Sequence, residues 1–573
     1  MRRNIKKHIN RKTVLVLMVL AVFFLLFTKL VYIQIFLHDK IRCNVDKMVN
    51  RQIVEISKRG DILDTKGNIL ATSVKKYNIF LDPQVIEDFS NVKDSLFTNG
   101  IQIKEKDLND FGNRAYVPIV YNVDSSIADN IKSTKLKGVG FESKYVRSYP
   151  EGKMLSNILG ITGCDGNGLE GIEKICNNCL LGSRVTSNMH RDGRGYIIQN
   201  KVIDQSKICG QNVILSIDRN IQYIAEQGLR KSFEKYQAKK AICIVQNPKT
   251  GSILAMVSLP DFDHLEKIKD LKVLRNAAIS DIYEPGSTFK IVTVASALEE
   301  GKVKLSDTFY LENGKLKIAD HIIKDDHKID GMVSLSRVME MSSNIAMVKI
   351  AKKLGNNDFY EYIRKFGFYS LTGIDLPGEA KGLLLDIKEW NALTLPTISF
   401  GQGIGVTALQ MINAFSAIAN DGVLLKPYIV QKICNCNDDS PQKIFNPMEI
   451  RRVISKETAY TIKKILKNAV DLGTGKSAKV KGYTVAGKTG TAQKIDPLTK
   501  TYSKKFYTAS FCGMLPAMEP EFVILVIIDE PKGQSYYASS VASPVFASIA
   551  QSIAQYLEIP KDDLGDKKVN RKF

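Results

Sequence analysis

Ser287 and Lys290 lie three residues apart in Glu284-Pro285-Gly286-Ser287-Thr288-Phe289-Lys290, so a helix beginning near Pro285 turns hydroxyl and amine onto one face. That is a nucleophile beside a base. The start of such a helix also directs unpaired backbone N–H groups and the positive end of its dipole toward the hydroxyl, where negative charge develops during attack on a carbonyl. Residues 291–298 are apolar enough to form a buried helix, which Gly301 would stop.

Spacing alone selects nothing, because the same interval separates Ser73 from Lys76, Ser232 from Lys235 and Ser440 from Lys443. Two further stretches supply the context: Ser342-Ser343-Asn344, and Lys488-Thr489-Gly490-Thr491. Another Lys-Thr-Gly, at Lys249, follows Pro248 between two apolar runs and reads as turn chemistry. A serine hydroxyl needs a base and a site for the oxyanion. None of the six histidines falls in a catalytic setting; His321 and His327, beside Asp325 and Asp326, read as a solvated loop. Lys290 is then the base, brought toward neutrality by desolvation and by a second cation, for which Lys488 is the candidate. Gly487 and Gly490 flank Lys488 in a strand pattern, which predicts close approach of another backbone. A peptide can add alongside this strand through main-chain hydrogen bonds. The hydroxyls of Thr489 and Thr491 with the lysine charge suit a substrate carboxylate.

These side chains need a large scaffold. At 573 residues the chain exceeds one ordinary core, and two or three domains are expected. Its net charge of +21 fits nucleic acid, an anionic membrane or an acidic polymer such as cell wall. Without zinc-finger spacing, RNP-type aromatics or a dense basic tract, nucleic acid is the weakest of the three. Residues 1–12 form a basic tail, and 13–36 read as an uncleaved transmembrane anchor, since bulky residues stand where a cleavage site needs small ones. The positive-inside rule keeps the tail in the cytoplasm and places the rest outside the plasma membrane. Residues 37–210 read as a pedestal of short strands and turns, in which 165–168 is a plain turn rather than a calcium loop.

From 211 to about 560, strands lie at both ends and helices between them. The fold class is therefore α+β, one antiparallel sheet covered by helices. Strands are expected at 483–486, 507–514 and 522–528, and 561–573 form a tail. Of nine cysteines, Cys176 and Cys179 have redox or metal spacing, and Cys434 and Cys436 form a second close pair. Neither has the context of a thioredoxin motif or a second ligand pair, so both read as thiols, with a local disulfide left open.

The order S-x-x-K, S-x-N, K-T-G is that of penicillin-binding proteins and related β-lactamases. The chain resembles a class B penicillin-binding protein from the anchor to nearly the C-terminus. The resemblance also rests on Arg59 to Asp64, Gly67 to Ala71, Arg147 to Pro150, Gly168 to Glu173, Thr372 to Glu379 and Phe400 to Gly403. Arg275-Asn276 and Asp281 to Ser287 look more like the septal than the elongation transpeptidase.

The resemblance implies D,D-transpeptidation of peptidoglycan stem peptides, with neither metal nor cofactor. Ser287 would attack the penultimate D-Ala carbonyl, Lys290 would shuttle the proton, and Ser342 and Asn344 would sit between the two lysines. The backbone N–H groups of Ser287 and Thr491 would form the oxyanion hole, and β-lactams would acylate the same serine. Lacking a glycosyltransferase domain, such a chain would work with a SEDS-type membrane glycosyltransferase and other division proteins, contacted through the anchor and the Arg59 region. The alternatives are an elongation-type transpeptidase, a carboxypeptidase or β-lactamase-like hydrolase, and a silent β-lactam-binding division scaffold.

Overall fold

The structure, a computed structural model, describes residues 10–103, 116–191, 197–199, 209–326, 328, 331–496, 499–533 and 535–563. Arg2, Arg3, Lys6 and Lys7 of the basic tail, His327, and the tail beyond Asp563 lie outside the described residues. The chain divides into two units, Met1–Ser57 with Ser183–Ile208, and Lys58–Gly182 with Cys209–Phe573.

In the first unit, helix α1 (Arg11–Val31) continues through a π-helical turn, Tyr32–Phe36. The 26 residues make about 39 Å of helix, against roughly 30 Å of bilayer hydrocarbon. None of them is buried. A helix apolar on every side needs a non-aqueous surrounding, and this one is long and apolar enough to cross a membrane. In the same unit, strand Asn50–Ile56 pairs antiparallel with Arg184–Arg191, which pairs in turn with Ile197–Gln199.

At the start of the second unit β1 (Ile69–Leu81) pairs antiparallel with β2 (Val117–Asp124) and β3 (Val139–Ser148), as part of a seven-stranded sheet. Helices Phe89–Thr98 and Ser125–Ser133 complete it, and Ile79, Leu81, Val92, Leu96, Val123 and Ile131 form its core. Both helices are short, 10 and 9 residues, beside the strands and turns expected here. Val92 and Leu96, one helical turn apart, are the buried residues of the first, which Asp88 caps by accepting from Asn91 N at 3.2 Å.

Beside this sheet, Glu173 is fully buried between two arginines. Arg59 Nε and Arg147 Nε each donate to one of its carboxylate oxygens at 2.6 Å. Arg59 Nη2 reaches Glu173 O at 2.8 Å and Arg147 Nη1 reaches Gly60 O at 2.8 Å. Three segments distant in sequence are thus tied at one point. Arg59 is only 5 % exposed, so its side chain is committed internally.

The larger part of the second unit opens with α2 (Arg219–Lys235), capped by Asp218, which accepts from Asn220 N at 2.9 Å and Ile221 N at 3.2 Å. The hairpin β4 (Lys240–Gln246) and β5 (Ile253–Leu259) follows as expected, with Lys249 in its turn, paired to Glu521. Then come α3 (Lys290–Glu299), α4 (Leu335–Met341), α5 (Asn344–Leu354), α6 (Ala408–Ala419) and α7 (Lys456–Asp471). Strands β6 (Ala486–Ile495), β7 (Tyr502–Leu515) and β8 (Phe522–Asp529) precede α8 (Ser543–Tyr556).

The five strands form one antiparallel sheet in the order β5-β4-β8-β7-β6. Central strand β8 is apolar on both faces because both are covered. Ile524, Val526 and Ile528 pack toward α2 and α8, while Val523, Leu525 and Ile527 join the core that contains α3, α6 and α7. Strand β6 lies at the edge. It begins at Ala486 rather than spanning 483–486, and runs on through the Lys-Thr-Gly-Thr segment, paired with β7 from Ala486↔Met514 to Ile495↔Tyr502.

The cysteines differ from expectation. Cys436 is bonded to Cys209, 227 residues earlier, across a Cα–Cα distance of 6.3 Å. Cys434, two residues along, points into the core, and Cys176 and Cys179 remain thiols. Burial, followed by the neighbouring Cys179, pushes the Cys176 thiol up to about 12.

Glu173→Ala leaves two buried guanidinium groups without their anion, and is expected to lower the stability of the second unit by about 3–5 kcal/mol. Urea denaturation checks this; an unchanged midpoint would mean that the three-way tie contributes nothing.

Candidate active site

Ser287 does not start on the α-helix itself. Residues Gly286–Phe289 form a 3-10 turn that runs into α3 at Lys290. Gly286 sits at φ +54, a left-handed conformation that favours glycine, and Thr288 Oγ1 donates to Pro285 O at 2.8 Å. Two partners hold this turn from outside. Gly286 N donates to Gly401 O at 3.0 Å, and a Cβ on Gly401 would lie 2.1 Å from Gly286 O. The Glu284 carboxylate accepts from Gly403 N at 2.9 Å and from the Tyr502 hydroxyl at 3.2 Å. The Phe400 to Gly403 segment therefore works as a bracket for the serine turn.

Across the cleft stands β6. A Cβ on Gly490 would come within 2.9 Å of Pro285 O and of Thr288 Cγ2, so the close approach expected at this glycine is made by the serine turn. At Gly487 the neighbours are Phe511 Cζ at 2.5 Å and Cys512 O at 2.9 Å. Glycine at 490 lets an edge strand and the Ser287 turn lie against each other.

The third part is the loop between α4 and α5. Ser342 caps α4 in the left-handed conformation, φ +60, a backbone state that costs a non-glycine residue energy and that the surrounding structure must impose. It brings Ser342 into reach of both lysines. Lys290 Nζ donates to Ser342 O at 2.6 Å, to Asn344 Oδ1 at 2.7 Å and to Ser342 Oγ at 3.1 Å. Lys488 Nζ lies 2.9 Å from the same Ser342 Oγ and 3.2 Å from Thr489 O. One hydroxyl is shared by two amines.

Both amines are buried, Lys290 at 0 % and Lys488 at 1 % exposure. Burial disfavours the charged form and brings Lys290 down to about 7, against the pull of Asp325 and Asp326. Burial also holds Lys488 well below the usual lysine range, and repulsion from Lys290 adds to it. Desolvation thus leads for both, and the repulsion anticipated at Lys290 is felt at Lys488. Two like charges on one hydroxyl in a buried site disfavour each other, so the two amines titrate as a pair.

The half-buried Ser287 bonds no other described residue through its side chain. The direct approach of Lys290 to it, expected from spacing, gives way here to the three acceptors on Ser342 and Asn344. Catalytic hydrogen bonds commonly tighten only with substrate in place. Thr489 shares a hydrogen bond with Thr474 at 2.9 Å, and Thr491 Oγ1 accepts from Ala538 N at 3.0 Å. Both lie on the strand face opposite the Lys488 side chain.

Sequence reasoning missed Thr474, Glu284 and above all Asp325. The 321–327 stretch, read as solvated loop, contains the strand His321–Lys324 followed by Asp325, whose carboxylate takes Asn344 N at 2.6 Å and Ser343 Oγ at 2.6 Å. No short-range signal could have found it, since it lies 18 residues from its partner Ser343.

Two family models match the chain: the penicillin binding protein transpeptidase domain over residues 241–551, and the penicillin-binding protein dimerisation domain over 55–215. Stage V sporulation protein D of Bacillus subtilis is 32 % identical over 562 residues, covering 96 % of this chain and 86 % of that protein. The peptidoglycan D,D-transpeptidase FtsI of Buchnera aphidicola subsp. Schizaphis graminum is 32 % identical over 585 residues, 99 % of each chain. Among solved structures, penicillin binding protein 3 of Mycobacterium tuberculosis, complexed with aztreonam, superposes with a TM-score of 0.69 at 27 % identity, covering 89 % of this chain and 98 % of that one. With a dimerisation domain joined to a transpeptidase domain whose three motifs meet at one hydroxyl, the chain belongs to the class B penicillin-binding proteins.

Proposed function

We propose that this protein is a peptidoglycan D,D-transpeptidase, and that Ser287 is its nucleophile. The observation that carries the assignment of residues is the meeting of Lys290 and Lys488 on Ser342 Oγ, at 3.1 and 2.9 Å. Ser287 Oγ attacks the penultimate D-Ala carbonyl of a donor stem peptide and gives its proton to neutral Lys290. Collapse of the tetrahedral intermediate breaks the C–N bond to the last D-Ala, whose nitrogen takes the proton back, and leaves an ester on Ser287. The amine of an acceptor stem attacks that ester, loses its proton to the same lysine, and the cross-link forms as Ser287 recovers its hydroxyl.

Ser342 Oγ, between the two amines, relays the proton, and Asn344 fixes Lys290. The backbone N–H groups of Ser287 and Thr491 serve the oxyanion, where losing one donor typically costs about 3–4 kcal/mol of barrier. The peptide lies along the open edge of β6, with Thr489, Gly490 and Thr491 beside its carboxylate. A β-lactam acylates the same serine; the crystallised relative with aztreonam supports this.

The anchor reading extends this assignment: α1 holds the chain in the plasma membrane with the catalytic unit outside, the pedestal covering about 37–210 and the catalytic domain about 211–560. The relative named FtsI, matched over 99 % of both chains, supports a place at the division septum. There a SEDS-type membrane glycosyltransferase supplies the glycan strand, contacted through α1 and the region around Arg59.

Wild-type protein mixed with penicillin is expected to gain the mass of one β-lactam, stable over hours, and Ser287→Ala to gain none. Intact-mass spectrometry reads both; labelling retained in the variant would move the nucleophile elsewhere, and an adduct lost within minutes would favour a hydrolase.

Because the base acts unprotonated, the acylation rate is expected to rise with pH through about 7. Lys290→Arg keeps the charge but cannot give up its proton, and is expected to slow acylation roughly 10²- to 10⁴-fold. Stopped-flow acylation between pH 5 and 9 tests both; a flat wild-type profile or a normally acylating arginine variant would remove Lys290 from the role.

A further inference from the structure

The anion beside the Ser342 to Asn344 loop has a place in acylation that no motif assigns. Asp325 follows the strand His321–Lys324 and is half-buried. One carboxylate oxygen accepts from Asn344 N at 2.6 Å and Ile345 N at 3.1 Å, and the other accepts from Ser343 Oγ at 2.6 Å. Ser343 Oγ in turn accepts from Ala346 N at 3.1 Å. The N-terminus of the 11-residue helix α5 is therefore capped jointly by a serine and a distant aspartate, which places a full negative charge where the helix dipole favours one.

The same segment orients the amide of Asn344. Its Nδ2 donates to Lys324 O at 3.0 Å, so its Oδ1 is the atom left for Lys290 Nζ at 2.7 Å. We propose that Asp325 is a positioning residue for acylation: it holds Ser343 and the first amides of α5 so that Ser342 O and Asn344 Oδ1 face Lys290, and its charge governs how readily that lysine releases a proton. This rests on the reading of Ser287 and Lys290 as nucleophile and base.

The charged groups facing Lys290 are Lys488 from β6, and Asp325 and Asp326 from the segment after the short strand. The two aspartates pull against burial, favouring the protonated amine, and so hold it near neutrality instead of far below. Asp325 differs from Asp326 in being hydrogen-bonded into the loop whose oxygens the amine touches, so removing its charge alters geometry and protonation at the same site. The step itself is unchanged: the proton of Ser287 Oγ goes to Lys290 Nζ as the acyl bond forms.

The test uses full-length protein in detergent, a fluorescent penicillin, and stopped-flow acylation rates from pH 5 to 9. Asp325→Asn keeps one acceptor oxygen and removes the charge; its acidic limb is expected to move down by roughly one pH unit. Asp325→Ala also removes the hydrogen bonds, and its plateau rate is expected to fall roughly ten- to a hundredfold. Should the alanine variant fail to fold in a thermal melt, the asparagine variant decides alone. Superimposable profiles for wild type and Asp325→Asn overturn the proposal. So does a uniform drop at every pH with the limb in place, which a merely structural role would give. Peptide mapping of the wild-type adduct separates the two readings: an adduct away from Ser287 overturns the nucleophile assignment and this proposal with it, whereas an adduct on Ser287 with an unshifted limb overturns only the role of Asp325.

Discussion

Two buried amines share one hydroxyl, and the second unit is arranged to keep them there. Water would dissolve the constraint, since in high dielectric two ammonium groups a few ångströms apart repel by only about 1 kcal/mol. Burial makes the repulsion and the desolvation cost matter, and it brings the Lys290 amine down to about 7.

That burial has a structural source. Lys290 sits at the junction of a 3-10 turn and a helix whose residues from Ile291 to Ala297 are all buried. Lys488 projects from an edge strand backed by β7, and Ser342 reaches both from a left-handed loop. Three elements far apart in sequence thus converge, and each is braced separately: the turn by Gly401 and Glu284, the strand by its register with β7, the loop by Asp325. Gly490 permits the turn and the strand to meet.

Much of this is legible in the residues. The hairpin, the helix after Ser287 and the central strand β8 follow from local apolar pattern, because burial on both faces leaves an uninterrupted run at 522–528. The strand pattern around Lys488 is legible, but its start is not: the expected 483–486 gives way to a strand beginning at Ala486, where pairing with β7 sets the boundary. The pedestal helices were hidden by polar surfaces that show only Val92 and Leu96 as a buried pair. Asp325 and the Cys209–Cys436 link depend on chain segments brought together by the finished fold, and nothing within a short window announces either.

The strand order also has a bearing on biogenesis. Hairpin β4–β5 is made well before its neighbour in the sheet, β8, some 280 residues later, with the helical region and two other strands of the same sheet intervening. A ribosome working from the N-terminus therefore releases almost the entire polypeptide before the middle of the sheet can close. During that interval the apolar edge of β4 lacks its cover, and an uncovered strand edge is open to wrong pairing.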